Sequence, residues 1–181
     1  MDELVRQNQR RIYEVAFRFL GNHDDAADVC QKTFVRMYQK LDSFQHKAKL
    51  RTWLYRITIN LCKNYVRDEK RRSDFKKEIV GFKRESAPED INYKSAPLVQ
   101  QNPRQDPSEG IFQTQRQQIL RQGIEKLPKK QRAIMILRTY EELSFQEIAQ
   151  TLGGSESAAK VNYHYALNNL KEILKETKTH E

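Results

Sequence analysis

Residues 143–170 read Leu-Ser-Phe-Gln-Glu-Ile-Ala-Gln-Thr-Leu-Gly-Gly-Ser-Glu-Ser-Ala-Ala-Lys-Val-Asn-Tyr-His-Tyr-Ala-Leu-Asn-Asn-Leu. Ser144 followed three residues later by Glu147 is a capping box, in which the serine hydroxyl accepts from the Glu147 amide and the glutamate reaches back to the serine amide. The helix it starts, from Phe145 to Leu152, is short and runs into Gly153-Gly154, where positive backbone angles cost little. A longer helix begins near Ser155 or Ser157, with Ala159, Tyr163, Ala166, Leu170 and Ile173 on its inner face. A short helix, a glycine turn and a longer helix form the helix-turn-helix pattern. Projected at about 100° per residue, Ser157, Val161, His164, Tyr165 and Asn168 fall opposite the core with Lys160 at their flank. Such spacing also arises by chance in helical bundles. An apolar Val161 and an aromatic Tyr165 on the outer face favour a groove-reading role, because a merely solvated face takes Lys or Glu and a valine can touch a thymine methyl.

Upstream of this unit, a helix from about Gln113 to Leu127 is ended by Pro128, and another starts at Lys129 and carries Ile134 and Leu137. The first half holds three more helical patterns. Ile12, Ala16 and Phe19 or Leu20 mark one that stops at Gly21; Ala26, Cys30, Phe34, Met37 and Leu41 mark a second, capped by Asn22 or Asp24. Leu54, Ile57, Leu61 and Tyr65 mark a third, joined to the second by a loop from Asp42 to Leu50. Between the halves, Pro88, Pro97, Pro103, Pro107 and Gly110 sit among Gln, Asn, Ser and Asp with almost no apolar periodicity, which reads as a linker. The fold expected is all-α, with two small helical domains, 1–74 and 113–181, joined by a flexible linker over 75–112; residues 75–84 have room for a short helix.

The chain of 181 residues carries 33 Lys and Arg against 24 Asp and Glu, a net charge of +9. It is too short for a large multidomain enzyme. The distribution of charge is more telling than its sum. Lys47, Lys49, Arg51, Arg56, Lys63, Arg67, Lys70, Arg71 and Arg72 face only Asp68 and Glu69, whereas the stretch from Asn22 to Asp28 is acidic. One basic stretch and one acidic helix start suit two different partners, the first of them a polyanion. Cys30 and Cys62 lie inside apolar helical patterns and are expected as buried thiols. His23, His46, His164 and His180 have no ligand spacing, so neither a structural metal nor a cofactor is expected. There is no apolar run of membrane-span length and no signal-peptide pattern at Met1, which leads to the expectation of a cytoplasmic protein. No phosphate loop or nucleophile–base constellation is present in the sequence, and an enzyme is not expected.

Taken together, these residues resemble the extracytoplasmic-function sigma factors of bacterial RNA polymerase. Asp28-Val29-Cys30-Gln31-Lys32-Thr33-Phe34 resembles the family's Asp-x-x-Gln-x-x-Phe segment, Leu41-Asp42-Ser43-Phe44 its Leu-Asp-x-Phe, and Thr52-Trp53-Leu54-Tyr55-Arg56-Ile57 with Asn60 its Thr-Trp-Leu-Tyr-Arg-Ile signature. Leu127-Pro128, Gln131-Arg132 and Leu143 to Ala149 resemble the entry to sigma region four. The resemblance implies that Asp28, Gln31, Lys32 and Val35 dock on the beta-prime clamp helices of core polymerase, with the second half meeting the beta flap. It implies that Phe44, Gln45, His46, Lys47, Lys49, Trp53, Arg56, Asn60, Lys63 and Arg67 handle the minus-ten element. Opening DNA there must offset lost stacking with aromatic surfaces and cations, and Lys63, Arg67, Arg71 and Arg72 suit phosphate contacts. Ser155, Ser157, Lys160, Val161, His164, Tyr165 and Asn168 are then the minus-thirty-five set. The linker would thread towards the polymerase active-site and RNA-exit channels, and an anti-sigma protein would cover the docking surfaces.

Two departures from the family pattern stand out. The first core helix begins within a few residues of Met1, without the leading turn many members possess, and Asn162 and Tyr165 stand where arginines are common. The second predicts weaker phosphate anchoring or an altered promoter sequence, with arginine at both places tightening binding. Two rivals stay open at this point: a conventional dimeric helix-turn-helix regulator, and a sigma-like adaptor that binds polymerase without initiating.

Overall fold

The structure is a computed structural model that describes residues 2–44, 48–80 and 118–179. Those residues form helices α1 (Asp2–Leu20), α2 (His23–Lys40) and α3 (Leu50–Val80), a segment α4 (118–126), then α5 (Lys129–Thr139), α6 (Phe145–Leu152) and α7 (Glu156–Thr179), with a 3-10 turn at Leu41–Ser43. Among the described residues there is no strand, and no helix is long and apolar enough to cross a membrane. α3 continues to Val80, six residues past the boundary expected at 74.

Local chemistry explains the ends of these helices. Gly21 takes φ +78 and stops α1. The Asn22 side chain then accepts from the amides of Asp24 and Asp25 and caps α2, whose first turn carries those two acids at the positive end of the helix dipole. α6 opens on the Ser144–Glu147 box, both of whose arms are made, and closes on Gly153 at φ +73. Ser155 Oγ accepts from the Ala158 amide at 3.1 Å and caps α7.

The packing differs from two separate cores. α1, α2 and α3 bury Ile12, Val15, Ala16, Phe19, Ala26, Val29, Met37, Leu54 and Ile59, while α5, α6 and α7 bury Ile134, Ile136, Leu137, Ile148, Ala159 and Ala166. These side chains belong to one contiguous cluster, because α1 packs on α5 and α3 packs on α6. Each large side chain removed from water contributes about 1.5–3 kcal/mol, so the junction adds to the stability of both halves. Polar contacts lock it. Arg132 donates to the Phe19 carbonyl at 2.8 Å and to the Leu127 carbonyl at 3.4 Å, and the Arg18 guanidinium lies 4.3 Å from the centre of the Tyr140 ring. A Cβ at Gly21 would come within 2.5 Å of the Glu125 carboxylate, the movable end of a flexible side chain, so it is the positive φ of this turn that calls for glycine.

Candidate polymerase and nucleic-acid interfaces

The acidic start of α2 leads into an exposed stripe. Its inner side is Ala26, Val29, Cys30, Thr33 and Met37, all buried, with Phe34 partly buried against the core. Asp28 is half-buried and pairs with Lys32 at 2.6 Å, while Gln31 and Lys32 are exposed. Val35 is 51% exposed, and Tyr38, one turn further on, is 69% exposed. Tyr38 was not singled out from the sequence. The signal for it was there: an aromatic on the polar side of an amphipathic helix, seven residues from Gln31 and therefore on the same face. An apolar stripe of this kind, open to water and bordered by one ion pair, is what a helical docking surface presents.

α3 carries the basic, aromatic stretch. Phe44 stacks its ring 4.9 Å from that of Trp53, tilted by 36°, and Trp53 packs partly buried against the core. Arg56, Asn60 and Arg67 are exposed and Lys63 is half-buried. Arg67 pairs with Asp68 at 3.2 Å. Burial and the nearby Lys130 ammonium lower the Lys63 pKa. Gln45, His46 and Lys47 lie outside the described residues, as does the linker segment 81–117. On its other side α3 is held to α2 by Tyr65, whose hydroxyl donates to Asp25. That bond, with burial behind it, pushes the phenol up to about 12.

Residues of α3, and Lys49 just before it, also have partners in the second half. Lys49 Nζ pairs with Glu147 Oε1 at 2.9 Å. Arg56 Nε donates to the Thr151 carbonyl at 3.3 Å and its Nη2 to the Gln150 carbonyl. The Tyr55 hydroxyl, fully buried, donates to the equally enclosed Glu141. Glu147, bonded by Lys49 and by the Ser144 amide and hydroxyl, has its carboxyl held down at about 2. Both cysteines are buried and unpaired with one another, and desolvation raises Cys30 to about 11 and Cys62 to about 12.

α7 presents its outer face as the periodicity predicts. Ser155, Ser157, Lys160, Val161, His164, Tyr165 and Asn168 are all exposed, with Val161 at 52% and Tyr165 at 56%. Lys160 pairs with Glu156 at 2.7 Å, and His164 shares a hydrogen bond with Asn168 at 3.2 Å. Ala159, Ala166 and Leu170 face inward. Asn162 is different: it is half-buried and donates to the Ala158 carbonyl at 2.7 Å, so its side chain turns back on its own helix.

Helical bundles with an exposed apolar stripe, a basic aromatic helix and a helix-turn-helix have the build of a bipartite DNA-binding protein. Comparison with known proteins agrees and narrows the class. Residues 4–72 match the Sigma-70 region 2 family and residues 117–170 match Sigma-70 region 4. The chain is 33% identical to the ECF RNA polymerase sigma factor SigE of Mycolicibacterium smegmatis over 96% of its own length and 61% of that relative's. It is 29% identical to the ECF sigma factor SigW of Bacillus subtilis, covering 96% of this chain and 88% of SigW. Against the ECF sigma-E factor of Escherichia coli it is 32% identical, with 81% of this chain and 71% of that one covered. Among solved structures, the sigma factor RpoE of Bartonella quintana, crystallised with the anti-sigma factor NepR, superposes with a TM-score of 0.65 at 23% identity over 96% of each chain. CnrH, in complex with the cytosolic domain of CnrY, gives 0.63 at 22% over 96% of this chain and 86% of CnrH. The protein belongs to the extracytoplasmic-function sigma factors of the sigma-70 class, which are transcription initiation factors of RNA polymerase.

Proposed function

We propose that this sigma factor divides its work among the three surfaces. The α2 stripe of Asp28, Gln31, Lys32 and Val35 meets the beta-prime clamp helices of core polymerase, and the second half meets the beta flap. Phe44 to Arg67 captures and holds the melted minus-ten element, and the outer face of α7 reads the minus-thirty-five element. In domain terms, 1–74 does the first two tasks, 113–181 the third, and 75–112 connects them. The chain does no catalysis of its own; it works in the cytoplasm, where polymerase and promoter are, and an anti-sigma protein restrains it by covering its docking surfaces.

The observation that carries this reading is the outer face of α7. All seven side chains assigned to the minus-thirty-five element, Ser155 at the cap of α7 and the other six on the helix itself, are exposed directly after the glycine turn. Two of them, Val161 and Tyr165, hold apolar surface in water that the fold has no use for. The test is multi-round transcription with sigma-free core polymerase on a pool of genomic fragments, with RNA ends sequenced. Transcripts sharing an upstream motif only when this chain is present are expected, and Val161→Ala with Tyr165→Ala should remove those that depend on the upstream element. Core binding without transcripts would favour the adaptor, and duplex binding without core binding the conventional regulator.

A further inference from the structure

The face of α7 that follows the glycine turn is poor in charge. Of the seven side chains assigned to the upstream element, Lys160 is the one lysine or arginine, and it is paired with Glu156 at 2.7 Å. Asn162 has its amide on the Ala158 carbonyl, and His164 and Asn168 are hydrogen-bonded to each other at 3.2 Å. What this leaves at the centre of the face is apolar: Val161 and Tyr165, both more than half exposed and one turn apart. Among the described residues, the other large apolar side chains open to water are Val35 and Tyr38 on α2 and Tyr140, whose ring carries the Arg18 guanidinium. In the second half, uncovered apolar surface is thus concentrated where a helix-turn-helix meets the major groove.

Groove chemistry limits what these two side chains can read. Guanine is selected by a bidentate cation, adenine by a carboxamide and cytosine by an acid, whereas the thymine C5-methyl is the apolar group of the major groove. Val161 has no polar side-chain atom, so a methyl is the one base feature it can select. Residues at i and i+4 of a helix hold their Cβ atoms about 5–6 Å apart. A methyl group at the ordinary carbon contact distance of about 3.5–4.0 Å from both fits between them. The Tyr165 ring stands edge-on to the His164 ring, with centroids 6.4 Å apart, and His164 is held in turn by Asn168, which props the tyrosine side of the cleft.

We infer that Val161 and Tyr165 clamp a single pyrimidine C5-methyl group, which makes that methyl a determinant of the upstream element. The inference rests on the assignment of the minus-thirty-five element to α7. 5-Methylcytosine carries the same group at the same ring position, so the clamp accepts it as it accepts thymine. A promoter with cytosine at that position is then strengthened by methylation of the base.

The test uses the full chain with core polymerase and the promoter it selects. Each thymine of the upstream element is replaced in turn by deoxyuridine, which lacks only the methyl, and binding is measured by competition at fixed salt. Loss of one buried methyl corresponds to binding about fourfold weaker, and the wild-type chain should show this at one position. Val161→Ala and Tyr165→Ala, both at exposed sites outside the core, should each weaken binding to the thymine promoter. In either variant the deoxyuridine penalty at that position should fall below about twofold. At the same position 5-methylcytosine should bind about fourfold tighter than cytosine in the wild type and equally in the variants.

If no deoxyuridine weakens binding while the two variants still do, the clamp is overturned and α7 stays the reading face. A penalty that persists undiminished in both variants belongs to the shape of the duplex and overturns the clamp too, as does 5-methylcytosine that binds no better than cytosine. Variants that bind the promoter as tightly as the wild type remove the assignment of α7 to the element as well.

Discussion

Replacing Tyr55 by phenylalanine deletes one oxygen and leaves the ring in place. In the folded chain that oxygen donates to Glu141, and both residues are enclosed between α3 and the turn after α5. A hydrogen bond to a charged group contributes about 1.5–3 kcal/mol, and the carboxylate left behind would be buried without its donor. We expect Tyr55→Phe to cost about 2 kcal/mol at neutral pH, which for a chain of this length lowers the melting midpoint by about 4–8 °C. Tyr65→Phe supplies the comparison, being the same chemical change on the same helix. Its bond to Asp25 is only partly buried, so a loss of about 0.5–1 kcal/mol is expected there. Urea titrations with an unchanged slope would isolate the stability change from any change in the unfolded state.

A double-mutant cycle sharpens the test. With Glu141→Ala already in place, Tyr55→Phe should cost less than about 0.5 kcal/mol, because its partner is gone. The alkaline limb gives an independent check. Burial, reinforced by the Glu141 carboxylate, raises the Tyr55 pKa, so a neutral phenol is favoured by folding. Its contribution is fully present below the unfolded value of about 10 and is lost progressively as pH rises from there through the higher folded value. Tyr55→Phe should remove that alkaline loss. A cost below about 0.5 kcal/mol for the single substitution, with an unaltered alkaline limb, would mean that the two halves are not joined through this pair in solution and would refute the reasoning.

Three further outcomes follow from other contacts. Glu147, held near 2, stabilises the folded chain above its unfolded pKa of about 4.3 and loses that contribution as pH falls from there towards 2; acid titration followed by circular dichroism should show a flatter acid limb in Glu147→Gln. Ser144→Ala removes the cap of α6 and should cost about 1 kcal/mol in a thermal melt. Tyr165→Arg should tighten binding to the upstream element in a mobility-shift assay and steepen its salt dependence by about one counterion. Asn162→Arg should add less, since Asn162 is half-buried and turned onto its own helix.

The local devices were legible in the sequence because each is written in adjacent residues. The Ser144–Glu147 box, the stop at Gly21, the Gly153 turn and the outward set on α7 follow from spacing and backbone preference alone, and the structure places them so. α3 was read less completely. Its apolar period marks Leu54, Ile57, Leu61 and Tyr65, one face, yet Tyr55, Thr58, Ile59 and Cys62 are buried too. A helix that packs against α1 and α2 on one side and α6 on another needs more than one inner face, and a single stripe was the wrong expectation for it. The pairs that close the junction, Lys49 with Glu147 and Tyr55 with Glu141, are 98 and 86 residues apart. Nothing local encodes such a pairing, and a linker of neutral composition between them suggested independence instead. Tyr38 lies outside the motif positions on α2, and only the amphipathic pattern, which leaves this aromatic on the polar side, points to it.

The two sets of contacts at this junction differ in what they ask of heredity. Tyr55 needs a particular side chain at position 141, so a substitution on either side breaks the bond. Arg56 instead grips the main chain of α6 at Gln150 and Thr151, and a peptide carbonyl is the same whatever residue bears it. The second half can therefore drift to read new promoter sequences, or be exchanged for that of a relative, and still be held by the same arginine, provided α6 keeps its length and its glycine end. A chimaera would inherit the grip of Arg56 unchanged and would have to evolve the tyrosine contact anew.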